Sequence, residues 1–111
     1  METSTDGEIY RNTIYLHQTA ANNGIFVVDC SPKIKRNKIY NNDAGIRVKA
    51  TAETISPAIS NNRIYATTDD AMNYGILVRG LGGTASPTIY HNSIDGGSGS
   101  GIGLEQTQPT R

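Results

Sequence analysis

The 111-residue sequence predicts an all-β fold, a three-faced parallel β-solenoid of about four coils, and three observations carry that prediction. The first is a repeat. The segments EIYRNTIYLH, KIKRNKIYNN, AISNNRIYAT and TIYHNSIDGG share the pattern x-Ile-x-x-Asn-x-Ile, and their asparagines, Asn12, Asn37, Asn62 and Asn92, lie 25, 25 and 30 residues apart. The second is a block that follows each segment, Gly-Ile-x-(Val/Leu), beginning at Gly24, Gly45, Gly75 and Gly101. The third is composition: Ile dominates the apolar residues, Gly, Asn, Thr and Ser abound, and Leu occurs only at Leu16, Leu77, Leu81 and Leu104. A repeat of this period marks units that cannot bury their apolar faces alone and must stack. Helical repeats need apolar residues at i, i+3, i+4 and i+7, whereas these units show short period-two runs broken by Asn, Gly and Pro. Leucine-rich repeats would need a Leu-dominated consensus.

Each unit then resolves into three strands. The first carries Ile9, Ile34, Ile59 and Ile89 inward and is preceded by Ser-Pro at Ser31-Pro32, Ser56-Pro57 and Ser86-Pro87. The second buries Ile14, Ile39, Ile64 and Ile94. The third buries Ile25 with Val27, Ile46 with Val48, Ile76 with Val78, and Ile102 with Leu104. Stacked strands sit about 4.8 Å apart, so like side chains lie over like. The Asn column is expected to form an internal ladder at a tight corner, with the asparagines tolerating left-handed backbone geometry there and each amide bonding to the next. The glycine opening the third strand is expected to supply positive φ. Cys30 shares a column with Ile55 and Ala85, which reads as a small core residue.

At these residues the chain resembles the right-handed parallel β-helix superfamily of pectate lyases, pectin lyases and tailspike-like proteins. The stretch Ala85 to Leu104 is especially similar to repeats of bacterial surface and secreted β-helix proteins. The resemblance spans roughly Glu8 to Arg111 and implies right-handedness and a secreted or cell-surface setting. Residues 1–7 are expected to be an N-terminal arm or cap and 8–111 the β-helix domain; Pro109-Thr110 falls where a fifth coil would begin, so the domain is expected to be either a segment of a longer β-helix or one whose open ends are closed by self-association.

Ten basic and ten acidic residues give no net charge, so no global field recruits nucleic acid or an acidic membrane. No apolar run reaches the roughly 20 residues of a membrane span, and METSTDGEIY lacks the features of a secretion signal. One cysteine excludes an internal disulfide framework. The expected partners are a polysaccharide and further copies of the chain, joined through the solenoid ends, whose strands would otherwise stay unpaired.

In the enzymes the chain resembles, substrate lies along the outer face equivalent to the Gly-Ile-x-Val sheet. The outward rows there are Phe26, Arg47, Leu77, Gly103 and Val28, Lys49, Arg79, Glu105. Phe26, Arg47, Lys49, Leu77 and Arg79 are therefore the candidate ligand-binding residues, a shallow basic groove for an anionic glycan. Lyase chemistry of the resembled kind needs a carboxylate cluster for calcium, and Glu105 is the single acid in these rows. An inverting glycosidase needs two carboxylates about 6.5–9.5 Å apart, and the adjacent pair Asp69-Asp70 reads instead as a turn-forming loop. Asp29, Asp43 and Asp95 read as turn or edge residues. His17 and His91 occupy different columns without a ligand partner, so no metal and no cofactor is expected. Tyr15, Tyr40 and Tyr65 form an outward column read as a stiffening aromatic ladder. The resulting expectation is a non-catalytic scaffold or carbohydrate-binding module. The alternatives are a fragment of a polysaccharide lyase or glycoside hydrolase, and a self-assembling structural unit.

Overall fold

Strand after strand of this chain is a short β-favouring run ended by a polar corner, and the pairing of those runs sets the fold. The structure, a computed structural model, describes residues 7–17, 23–66, 74–95 and 100–107. In chain order the strands are β1 Glu8–Tyr10, β2 Thr13–His17, β3 Asn23–Val28, β4 Lys33–Lys35, β5 Lys38–Asn42, β6 Ala44–Ala50 and β7 Thr54–Ile55. They continue as β8 Ala58–Ser60, β9 Arg63–Tyr65, β10 Tyr74–Leu81, β11 Thr84–Ala85, β12 Thr88–Tyr90, β13 Ser93–Asp95 and β14 Ser100–Thr107. Every pairing is parallel. Three sheets have four strands each, in the orders β1-β4-β8-β12, β2-β5-β9-β13 and β3-β6-β10-β14, and the chain visits them in that rotation. A fourth, two-stranded sheet pairs β7 with β11. The sequence reading, with three strands per coil, missed it, because a strand of two residues has no periodicity to detect.

Register follows the repeat. Ile9, Ile34, Ile59 and Ile89 are successive partners in the first sheet. Ile14, Ile39, Ile64 and Ile94 are partners in the second. In the third, Ile25, Ile46, Ile76 and Ile102 align, as do Val27, Val48, Val78 and Leu104. The core cluster comprises Ile25, Val27, Ile34, Ile39, Ile46, Val48, Ile59, Ile64, Ile76 and Val78 with Ala50 and the expected column Cys30, Ile55 and Ala85, and Ile9, Ile14, Ile89 and Ile94 pack against it. Ile102, expected to be buried, is instead 46% exposed, because β14 is the outermost of the described strands in its sheet. A slip of one residue would turn every inward isoleucine to solvent, which is why the alternation holds the register so firmly.

Two details of the corners differ from expectation. Positive φ falls on Arg11, Arg36, Asn61 and His91, at 58°, 57°, 56° and 55°, each immediately before the ladder asparagine rather than on it. The left-handed residue turns its own side chain to solvent, and the next residue then enters the interior. The cost of a non-glycine residue there, about 1–2 kcal/mol, is offset by the ladder bonds described below. The glycines that open the third strand are likewise not at positive φ. Their reason is close approach. A Cβ on Gly45 would lie 2.6 Å from Ile64 Cγ2 and 2.7 Å from the Gly75 carbonyl oxygen, and Gly24 and Gly75 face the same combination of an isoleucine methyl and the next glycine carbonyl.

Candidate functional site

Two asparagine-rich and charged regions emerge from this register, one internal and one on the outer surface. Inside, the main-chain N–H and the side-chain amide of Asn37 both donate to Asn62 Oδ1 at 3.0 Å. Asn62 donates in the same two ways to Asn92 Oδ1 at 2.9 Å, and Asn12 to Asn37 Oδ1 at 2.9 and 3.2 Å. Each amide also returns a bond to the first sheet: Asn37 to the Ile9 carbonyl, Asn62 to that of Ile34 and Asn92 to that of Ile59. The expected ladder is therefore present, every Asn-to-Asn bond being donated toward the following repeat. Its role is structural: Asn37 and Asn62 are each 2% exposed, and a buried amide needs all of these partners.

The outer surface of the third sheet carries the candidate ligand-binding residues. Register sets Arg47 between Phe26 and Leu77, and Lys49 between Val28 and Arg79. Phe26 is 38% exposed, and the Arg47 guanidinium carbon lies 5.7 Å from its ring centroid. Arg47 Nε is buried without a hydrogen-bond partner. Leu77 departs from expectation: although in the outward row, it is only 4% exposed. The cause is Gly103, its neighbour in the row. A Cβ there would fall 2.9 Å from Tyr74 and 3.2 Å from Leu77, so the missing side chain lets both pack over that strand. Leu77 is thus support for the row rather than a contact surface. Tyr74 went unnoticed in the sequence because it lies one residue ahead of the Gly-Ile-x-Val block.

Among the described residues no cluster of acids lies on this face. Asp29, itself at φ 50°, caps the turn after β6: its carboxylate accepts the N–H of Thr51 at 2.7 Å, the Thr51 hydroxyl and the N–H of Ala52 at 3.3 Å. The Thr51 hydroxyl, then its N–H, hold the Asp29 carboxyl below its ordinary pKa. Among the described residues no three His, Cys, Asp or Glu side chains come together as metal ligands. His91 meets Tyr90 edge-on at 5.3 Å, and His17 pairs in register with Asn42. Cys30 is 3% exposed, and burial pushes its thiol pKa up, the reverse of what a nucleophile needs. Asp69-Asp70 and the arm and tail at 1–6 and 108–111 lie outside the described residues.

The tyrosine column stacks as expected. The rings of Tyr15 and Tyr40 are 5.0 Å apart and 3° from parallel, those of Tyr40 and Tyr65 4.9 Å and 13°. These spacings equal the strand separation, so the stack follows from the sheet.

A parallel solenoid with an internal asparagine ladder defines the β-helix class of repeat protein. The family model described as "right handed beta helix region" matches residues 1–110, and the chain belongs to that family. No curated protein and no solved structure matches the chain significantly.

Proposed function

We propose that this chain is a non-catalytic β-helix module of a surface or secreted protein, whose Phe26–Arg47–Lys49–Arg79 face holds an acidic polysaccharide. The observation that carries the reading is Arg47, a guanidinium lying against the exposed ring of Phe26. The terminal N–H groups of a guanidinium held on an aromatic ring are suited to a two-pronged bond with a carboxylate of a ligand. Lys49 and Arg79 extend the positive row on adjacent strands, while Leu77 holds the row from behind. The test is binding to polygalacturonate and to a neutral glucan, with Arg47→Ala/Arg79→Ala as control and product release followed in the same samples. Binding to the acidic polymer that the double variant loses, without turnover, supports the module. Turnover would make it a lyase or hydrolase fragment instead.

A second reading, self-assembly, is favoured by the polarity of the ladder. The repeating pattern leaves Asn92 N–H without an Oδ1 to donate to and Asn12 Oδ1 without a donor, among the described residues. Ile102, 46% exposed at the same end as Asn92, adds apolar surface. Two copies joined head to tail would match donor to acceptor. Light scattering across a concentration series checks this: mass should rise with concentration, and Ile102→Lys should abolish the rise.

A further inference from the structure

The neutral charge total conceals a segregation. Six of the ten Lys and Arg residues, Arg11, Lys33, Lys35, Arg36, Lys38 and Arg63, lie on the first two sheets and the asparagine corner between them, where the described strands carry only Glu8 and Asp95 as acids. The cause is the alternation of the segment KIKRNK. Ile34, Asn37 and Ile39 turn inward, so Lys33 and Lys35 emerge on one sheet, Arg36 on the left-handed corner and Lys38 on the other sheet. Arg63 is the register partner of Lys38, and Arg11 takes the place of Arg36 in the preceding repeat. Four cations thus circle one coil, flanked by one on each neighbouring coil. Glu8 neutralises Lys35 at 3.2 Å. Arg11, Lys33, Arg36, Lys38 and Arg63 are exposed and form no ion pair among the described residues. Like charges at strand spacings of about 5 to 7 Å repel one another, which favours a partner that neutralises several at once.

The aromatic residues decide what kind of partner. Tyrosines among cations would suit single-stranded nucleic acid if their faces were open for stacking bases. Here most of the faces are taken, with Tyr15 and Tyr90 remaining 47% and 46% exposed. Tyr40 is sandwiched between Tyr15 and Tyr65, Arg63 lies 4.7 Å from the Tyr65 ring, and Tyr10 is covered by Arg11 at 5.0 Å and Lys35 at 5.5 Å. These contacts hold the cations in place and leave charge as the recognition element. We infer that the asparagine corner is a binding surface for a densely sulfated polysaccharide, distinct from the Phe26 face. Cations packed both along and across the strands match a polymer with more than one anionic group per sugar.

The experiment uses the whole chain with heparin as probe at about 0.15 M salt, where diffuse attraction is screened beyond about 8 Å. Arg36→Ser/Lys38→Ser/Arg63→Ser alters exposed side chains only, and circular dichroism confirms its fold. This variant should bind heparin at least tenfold more weakly, with a shallower salt dependence, whereas Arg36→Lys/Arg63→Lys, which keeps every charge of the corner, should bind it within about twofold of the parent. Unchanged heparin binding by the corner variant, or tighter binding of a single-stranded oligonucleotide than of heparin, would overturn the assignment. The Phe26-face reading rests on polygalacturonate and its own variant, so either surface can fail alone.

Discussion

Ile64 and Ile94 occupy the same position of successive repeats, yet Ile64 is fully buried and Ile94 only partly. The same contrast separates Ile34 and Ile59 from Ile9 and Ile89, and Asn62 from Asn12. Identical residues with identical backbone geometry differ because the inner strands have a neighbour on both sides and the outer ones on one. In a solenoid, stability belongs to the interfaces between repeats more than to any repeat.

The comparison can be broken by removing core volume. Ile64→Ala should cost about 4 kcal/mol and Ile94→Ala about 2 kcal/mol in urea unfolding, since the inner site loses contacts on both sides and cannot collapse. Equal losses would show that the outer strands are as well packed as the inner ones. The ladder sharpens the point. Asn62→Ala strands the donors of Asn37 and the Ile34 carbonyl in the interior and should cost about 3 kcal/mol, against about 1 kcal/mol for Asn12→Ala at the edge. Steric closeness gives the third pair: Gly45→Ala forces overlap with backbone and should cost about 2 kcal/mol. Gly101→Ala, whose nearest atom in that test is 3.8 Å away, should leave the melting temperature nearly unchanged. The smallest effect concerns pH. Because the Asp29 pKa is lowered on folding, its contribution is complete above the ordinary value of 3.8 and is lost as pH falls through the folded value. Asp29→Asn should therefore flatten the acid limb of a stability–pH curve and lower stability slightly at neutral pH.

The two outer surfaces differ in how readily the sequence exposes them. The Phe26 row was legible because alternation assigns outward positions along a strand. It misplaced Leu77, because burial on an outer face depends on Gly103 and Tyr74, which are 26 and 3 residues away in sequence and meet only in the sheet. The basic corner was harder to see. Its cations come from three repeats, and a neutral total hides them until the strands are aligned. Asn41 and Asn42, buried at the entry to β6, also escaped notice as structural residues.

By itself the sequence determined the solenoid, its register, the core columns and the asparagine ladder, because a period-two alternation repeated at fixed intervals admits one inward set. Tertiary structure alone decided which residue of each corner turns left-handed, why glycine opens the third strand, where a two-stranded sheet is added and which outward side chains remain exposed. Those outcomes depend on contacts between one repeat and the next, at distances of a few ångströms that no single stretch of sequence encodes.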